Sequence, residues 1–204
     1  MQTEKQNAQQ YTKQLLEKTE EERKRIASDL HDSVSHELLS LKNIFEEKTD
    51  ITNSKIDAII NDIRIISRNL HPVMFDKIGL KESIIQLVDR TQLTNNFMVT
   101  AEIDYSSDLL SSTELQIYRI VQESLSNIIK YANAIAAKIT IQENAKSILI
   151  EIKDNGKGFN VSETLNGKMA FGLHNIIERS RAIGGKAEII SNKNGTIITI
   201  DIKK

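Results

Sequence analysis

The chain has 204 residues, 39% of them apolar, with 27 basic against 28 acidic side chains and a net charge of −1. That size holds one large domain or two small ones, and the balanced charge excludes a general nucleic-acid binder, which needs a basic surface. Cysteine is absent, which removes disulfides and thiolate metal sites. No apolar run is long enough to cross a bilayer, and the polar stretch Met1 to Gln10 lacks the apolar core of a signal peptide. The expectation is a cytoplasmic chain with no nucleic-acid partner and no membrane contact of its own, any membrane-bound part lying outside this sequence.

Glycine divides the sequence: all eight lie from Gly79 onward, and the single proline, Pro72, stands close to that change. The first part can therefore be long and helical, and the second must turn tightly. From Lys5 to Glu47 nothing interrupts helical propensity, and Ile26, Leu30, Val34, Leu38, Leu41 and Phe45 form one apolar stripe. Such a helix would be roughly 65 Å long. His31 and Asp32 follow a stripe position, so His31 falls on the flank of that helix, about 100° from the core line. Thr49 to Ser54 reads as a polar turn, with Asn53 or Ser54 capping a second helix. That helix carries Ile56, Ile59, Ile60, Ile63, Ile66 and Leu70, and Pro72 ends it by forcing His71 towards an extended conformation. A lone hairpin cannot bury both stripes. Two copies packed as an antiparallel four-helix bundle can, so a homodimer is expected.

The second part mixes periods. Leu80 to Leu93 reads as a helix and Phe97 to Ile103 as a strand, while Ser111-Ser112-Thr113-Glu114 supplies capping residues for a helix running to about Asn133. Ala137 to Gln142 and Ser147 to Lys153 alternate as a hairpin about Asn144-Ala145-Lys146. Gly172 to Ile183 is a helix stopped by Gly184-Gly185, and Lys186 to Ser191 and Thr196 to Ile202 pair around Asn194-Gly195. The fold class is thus a helical hairpin over 1–72, a linker over 73–79 and an α/β sandwich over 80–204, with helices on one face of a mixed sheet.

Four features of the second part point to a nucleotide. Glu123 and Asn127, four apart on one helix, place two hard oxygen donors on one face, with Lys130 a turn further on. Asp154-Asn155-Gly156-Lys157-Gly158 follows an apolar strand, where an aspartate can accept from an exocyclic amine and glycines admit close backbone approach. Asn160 to Phe171, with Gly167 and Lys168, is a polar loop of lid length leading into the helix at Gly172-Leu173. Gly195-Thr196 opens the last strand, where the Thr196 hydroxyl could join a hydrogen-bond network of Asp154. Each has a plain counterpart: a solvated helix face, an ordinary turn, a surface loop, a strand threonine.

Together these residues resemble the Bergerat-type ATP-binding domain shared by gyrase, MutL and histidine kinases. The likeness rests on the boxes Tyr118 to Asn127, Asp154 to Phe159, and Gly172-Leu173 with Ile176, Glu178 and Arg179. No G-x-x-x-x-G-K-S/T loop occurs. The resemblance implies ATP and Mg²⁺: adenine recognised by Asp154, Mg²⁺ held through Asn127 and Glu123, and Glu123 acting in catalysis. It further implies nucleotide contacts from Lys130, Gly156, Gly158, Gly172, Leu173 and Thr196. Tyr131 departs from the family, which often has His there.

Glu21 to His36, with Arg25-Ile26-Ala27 and Leu30-His31-Asp32 at its centre, resembles the phosphoacceptor box of the NarL-associated histidine kinases. Leu70-His71-Pro72 and Gly79-Leu80 resemble that family's exit from the second helix. The resemblance implies ATP-dependent phosphorylation of His31, with Asp32 orienting the ring and taking its proton, then transfer to an aspartate of a response-regulator receiver domain. His36 occupies the position where the family usually has Gln, associated with dephosphorylating the partner. The other readings are an ATPase or serine kinase with a plain helical dimeriser, and a non-catalytic dimeric scaffold.

Overall fold

A computed structural model describes residues 2–34, 37–40, 50–72, 75–94, 97–167 and 170–203. The chain divides into two compact units, Gln14–Lys77 and Ile78–Lys204 with Met1–Lys13. Among the described residues no helix is long and apolar enough to cross a membrane.

The first unit is helical. α1 (Gln2–Asp29) runs into a wide π-helical turn (Leu30–Val34), residues 37–40 are again helical, and α2 spans Asp50–Leu70. The expected continuous helix is therefore interrupted at its functional box by one looser turn, the kind of bulge that adjusts side-chain direction within a helix. α2 begins at Asp50 rather than after a turn ending at Ser54; an acidic residue at a helix start is favoured by the helix dipole. The stripe residues Leu41 and Phe45, His36 and the turn residue Thr49 lie outside the described residues.

α1 and α2 pack antiparallel. Ser67 Oγ donates to the carbonyl of Ala27 at 2.9 Å, and both residues are buried. Further along, the Lys24 ammonium pairs with Asp76, so the register runs backwards on one strand of the hairpin as it runs forwards on the other. α2 stops at Leu70, ahead of Pro72 as expected, and the Phe75 N–H then bonds the Pro72 carbonyl at 2.8 Å. That bond opens α3 (Phe75–Thr94) inside the expected linker, with a break at Gly79, where φ is 71°.

The second unit is a five-stranded mixed sheet in the order β1-β2-β3-β5-β4. Its strands are β1 (Met98–Asp104), β2 (Ala136–Glu143), β3 (Ser147–Asp154), β4 (Gly185–Asn192) and β5 (Gly195–Lys203). β1 pairs with β2 in parallel and every other pairing is antiparallel. α4 (Ser111–Asn127) continues into a second π-helical turn (Ile128–Ala132), and α5 (Val161–Asn166) and α6 (Phe171–Ala182) follow β3. Alternate strand residues Ile139, Ile141, Ile148, Ile150, Ile152, Ile198, Ile200 and Ile202 are buried, as are Ile117, Ile120, Val121 and Leu125 of α4 and Leu173 and Ile176 of α6. β-branched side chains suit a pleated face, and each buried one contributes about 1.5–3 kcal/mol over exposure. The strands and major helices fall within a few residues of their expected positions.

Two local expectations are corrected. α4 starts one residue early, with Leu110 before it and no side-chain cap; Glu114, which would complete a capping box, instead accepts from the Tyr105 hydroxyl at 2.6 Å. Burial and that carboxylate push the Tyr105 pKa up. The lid segment is not simply a loop, because Asn160 caps the short helix α5, its Oδ1 accepting from the Glu163 N–H at 3.3 Å while its amide donates to the Glu163 carboxylate at 2.8 Å. Lys168 of the same segment lies outside the described residues.

Candidate functional site

The second unit holds a cavity of about 460 Å³, a size suited to a small-molecule ligand. Its walls come from the end of α4 and the π-helical turn, the end of β3 and the loop after it, the start of α6, and the first residues of β5. Ile128, Ile152, Leu173 and Ile198 give it apolar walls. Its charged lining consists of one carboxylate, Asp154, and two ammonium groups, Lys130 and Lys157.

Asp154 is the last residue of β3 and is 5% exposed. Its Oδ1 accepts from the Gly156 N–H at 2.7 Å, an Asx-type closure that folds the loop back on the strand end. The loop is then tied to the π-helical turn: the Lys157 N–H donates to the Ala132 carbonyl at 2.8 Å, and Asn155 Oδ1 accepts from the N–H groups of Ile135 and Ala136 at 3.1 and 3.0 Å. Two glycines permit the remaining contacts. Gly158 has φ 63°, and a Cβ there would fall 1.9 Å from the Asn192 carbonyl oxygen. Gly195 has φ 126°, and its Cβ would fall 2.0 Å from the Asp154 carbonyl oxygen. Any side chain at either place would push the β4–β5 turn off the Asp154 loop.

Glu123 and Asn127 lie on one face of α4, as their spacing requires, and both approach Gly172 at the start of α6: a Cβ on Gly172 would fall 2.4 Å from Glu123 Oε1 and 2.9 Å from Asn127 Nδ2. Asn127 lines the cavity, whereas Glu123 stands behind Gly172 and does not. The Asn127 amide nitrogen is buried without a hydrogen-bond partner among the described residues. A buried unpaired donor costs about 1–3 kcal/mol, which a polar ligand would relieve. The lining therefore fits an anionic nucleotide: an unmet amide N–H, two ammonium groups and an apolar slot, with Asn127 the one residue of the expected metal pair that reaches the cavity.

Of the residues singled out in sequence, Asn127, Lys130, Asp154, Gly158, Gly172, Leu173 and Thr196 line this one cavity, and Gly156 lies behind Asp154. Thr196 does not bond Asp154; its hydroxyl meets Ser191 Oγ at 2.9 Å. His174 is exposed, and its Nε2 lies 3.0 Å from the Leu165 carbonyl, so it holds α5 against α6. Sequence reasoning assigned no role to Lys157, Phe159, Thr164 or Tyr131, which also line the cavity, nor to Ser191 beside it. For Lys157 the signal was present, since it lies inside the Asp154 box.

His31 is placed separately, in the π-helical turn of the first unit, half-buried. Asp32 shares that turn. On the helix before it, Arg25 bridges Glu22 at 2.6 Å and Asp29 at 2.8 Å.

Comparison with known proteins agrees with both halves. Residues 112–204 match the family described as histidine kinase-, DNA gyrase B- and HSP90-like ATPase, and residues 22–46 match a second family, described as histidine kinase. The chain is similar over most of its length to sensor histidine kinases. It is 30% identical to the oxygen sensor histidine kinase NreB of Staphylococcus carnosus over 94% of its length, and 32% identical to the sensor histidine kinase LiaS of Bacillus subtilis over 89%. It spans 60% and 54% of those relatives' own lengths. Among solved structures, the histidine kinase domain of the Erythrobacter litoralis EL346 blue-light activated kinase shares the fold at TM-score 0.54 and 15% identity, covering 82% of this chain and 93% of that one. Acinetobacter baumannii AdeS does so at TM-score 0.51 and 13% identity, covering 85% and 94%.

Proposed function

We propose that this chain is the catalytic core of a two-component sensor histidine kinase, which phosphorylates its own His31 from ATP and passes the phosphoryl group to an aspartate of a response-regulator receiver domain. The observation that carries the reading is the convergence of three separate sequence boxes on one cavity, in a chain whose residues 22–46, His31 among them, match a histidine kinase family.

In this reading residues 1–72 are the dimerising phosphoacceptor hairpin, 73–79 the linker and 80–204 the ATP-binding domain. Asp154 accepts from the exocyclic amine of adenine, the apolar walls hold the base, and Lys130 meets the phosphates. Asn127, with Glu123 near it behind Gly172, would hold Mg²⁺, and the ion would supply neutralisation of phosphate charge. An imidazole nitrogen of His31 attacks the γ-phosphorus, the bond from that phosphorus to the ADP oxygen breaks, and Asp32 takes the proton from the other ring nitrogen. Catalysis is mainly positioning and charge neutralisation, so a small number of side chains suffices. The chain acts as a cytoplasmic homodimer. The exposed apolar residues Ile59 and Ile66 of α2 support that assembly.

Incubation with γ-labelled ATP tests the reading. The wild-type chain should acquire acid-labile label and His31→Gln should acquire none above background. Label that persists in His31→Gln would reject the acceptor, acid-stable label would favour a serine kinase, and hydrolysis without label an ATPase.

A further inference from the structure

Ser191, on β4 outside every box that the sequence singles out, stands directly across from Thr196 of β5 in the strand register. Three groups meet at its hydroxyl. The Phe159 N–H donates to Ser191 Oγ at 3.0 Å, Thr196 Oγ1 lies 2.9 Å away, and the Gly195 carbonyl oxygen is at 3.5 Å. A serine hydroxyl has one proton and two lone pairs. The Phe159 N–H occupies one lone pair. The proton has two possible acceptors, and only the one at 2.9 Å lies within normal O–H···O range, the 3.5 Å contact being too long for a good bond. Either hydroxyl can donate across the 2.9 Å contact, and the shorter distance favours the arrangement in which the Ser191 proton goes to Thr196 Oγ1 rather than to Gly195.

The consequence falls on Thr196. It is 7% exposed and lines the cavity, and among the described residues its hydroxyl has no acceptor other than Ser191. Once it accepts from Ser191, its own proton is left for whatever fills the cavity. Asp154, across from it, has one oxygen bonded to the Gly156 N–H, and its other oxygen has no partner among the described residues. The lining then presents a carboxylate acceptor and a hydroxyl donor to the same cavity. An amine next to a ring nitrogen, as in adenine, complements that pair, while the carbonyl of guanine does not.

We infer that Ser191 is a positioning residue for nucleotide selectivity: it anchors the loop after Asp154 through Phe159 and fixes Thr196 as a hydrogen-bond donor into the cavity. This presupposes that a nucleotide base enters the cavity, as proposed above.

Calorimetric titration with ATP, 1-deaza-ATP and 7-deaza-ATP separates this role from plain support of the fold, because each analogue removes one ring nitrogen beside the exocyclic amine. The wild-type chain should bind one analogue about three- to tenfold more weakly than ATP, the loss of one neutral hydrogen bond. In Ser191→Ala that penalty should shrink to less than about twofold while ATP binding itself weakens, and Ser191→Thr should restore both. Thr196→Val, which leaves Ser191 in place, should also remove the penalty. An undiminished penalty in Ser191→Ala or in Thr196→Val would overturn the inference, as would a wild-type chain that binds ATP and both analogues equally well. Absence of ATP binding by the wild-type chain would instead reject the nucleotide reading from which the inference starts.

Discussion

Asp154 has two tasks that separate by oxygen atom. One oxygen closes the loop on the Gly156 N–H, and the other has no partner among the described residues. Asparagine can keep the first bond through its carbonyl oxygen but replaces the second oxygen with a donor and removes the charge. Asp154→Asn should therefore bind ATP at least tenfold more weakly, with a melting temperature within a few degrees of wild type. Titration and a thermal melt measure both, and unchanged affinity would remove Asp154 from base recognition. At this scale the sequence is most informative where chemistry is local. Asp154, Gly156 and Gly158 sit within five residues of one another, and Glu123 and Asn127 a single turn apart, so their grouping needs no knowledge of the fold. Ser191 is the opposite case. Nothing distinguishes it from other strand serines until the β4–β5 register sets it opposite Thr196.

Elements show which local rules were overridden. Ser111, Ser112 and Thr113 look like helix caps, yet α4 starts after Leu110 with no side-chain cap, and Glu114 accepts from Tyr105. Neither π-helical turn leaves a mark in hydrophobic periodicity, since one looser turn shifts a stripe without breaking it. One follows Asn127 directly and carries Lys130 and Tyr131, and the other carries His31, so the departures from regular helix fall at residues assigned to chemistry. α5 was missed for another reason. A helix of six residues with no buried side chain is marginal by itself, and it persists here through its Asn160 cap. Asn160→Ala should cost about 0.5–2 kcal/mol locally. Hydrogen exchange should quicken at 161–166 while β2 and β3 keep their protection. Equal quickening across the sheet would show that the cap supports more than α5.

For the molecule as a whole, the hairpin poses an area problem. α2 turns Ile60 inward at 3% exposure but leaves Ile59 at 47% and Ile66 at 51%, one heptad apart on another face. Burying such side chains gains about 1.5–3 kcal/mol each, which a second copy of the hairpin supplies. Ile59→Lys combined with Ile66→Lys should convert a dimer into a monomer in sedimentation at micromolar concentration. A wild-type chain that sediments as a monomer would remove the basis for the bundle. The two-part architecture and the mixed sheet were legible from glycine distribution and periodicity. The strand order was not, because nothing in an alternating strand names its neighbour.

That order has a consequence for assembly. β2 with β3 and β4 with β5 are hairpins, each made of contacts near in sequence, whereas β3 and β5 are joined across more than forty residues of chain, an ordering step with a higher loop-closure cost. Asp154 ends the first hairpin, and Ser191, Gly195 and Thr196 belong to the second. The cavity thus draws lining residues from both hairpins as well as from α4 and α6, and any excursion that parts β3 from β5 opens that wall.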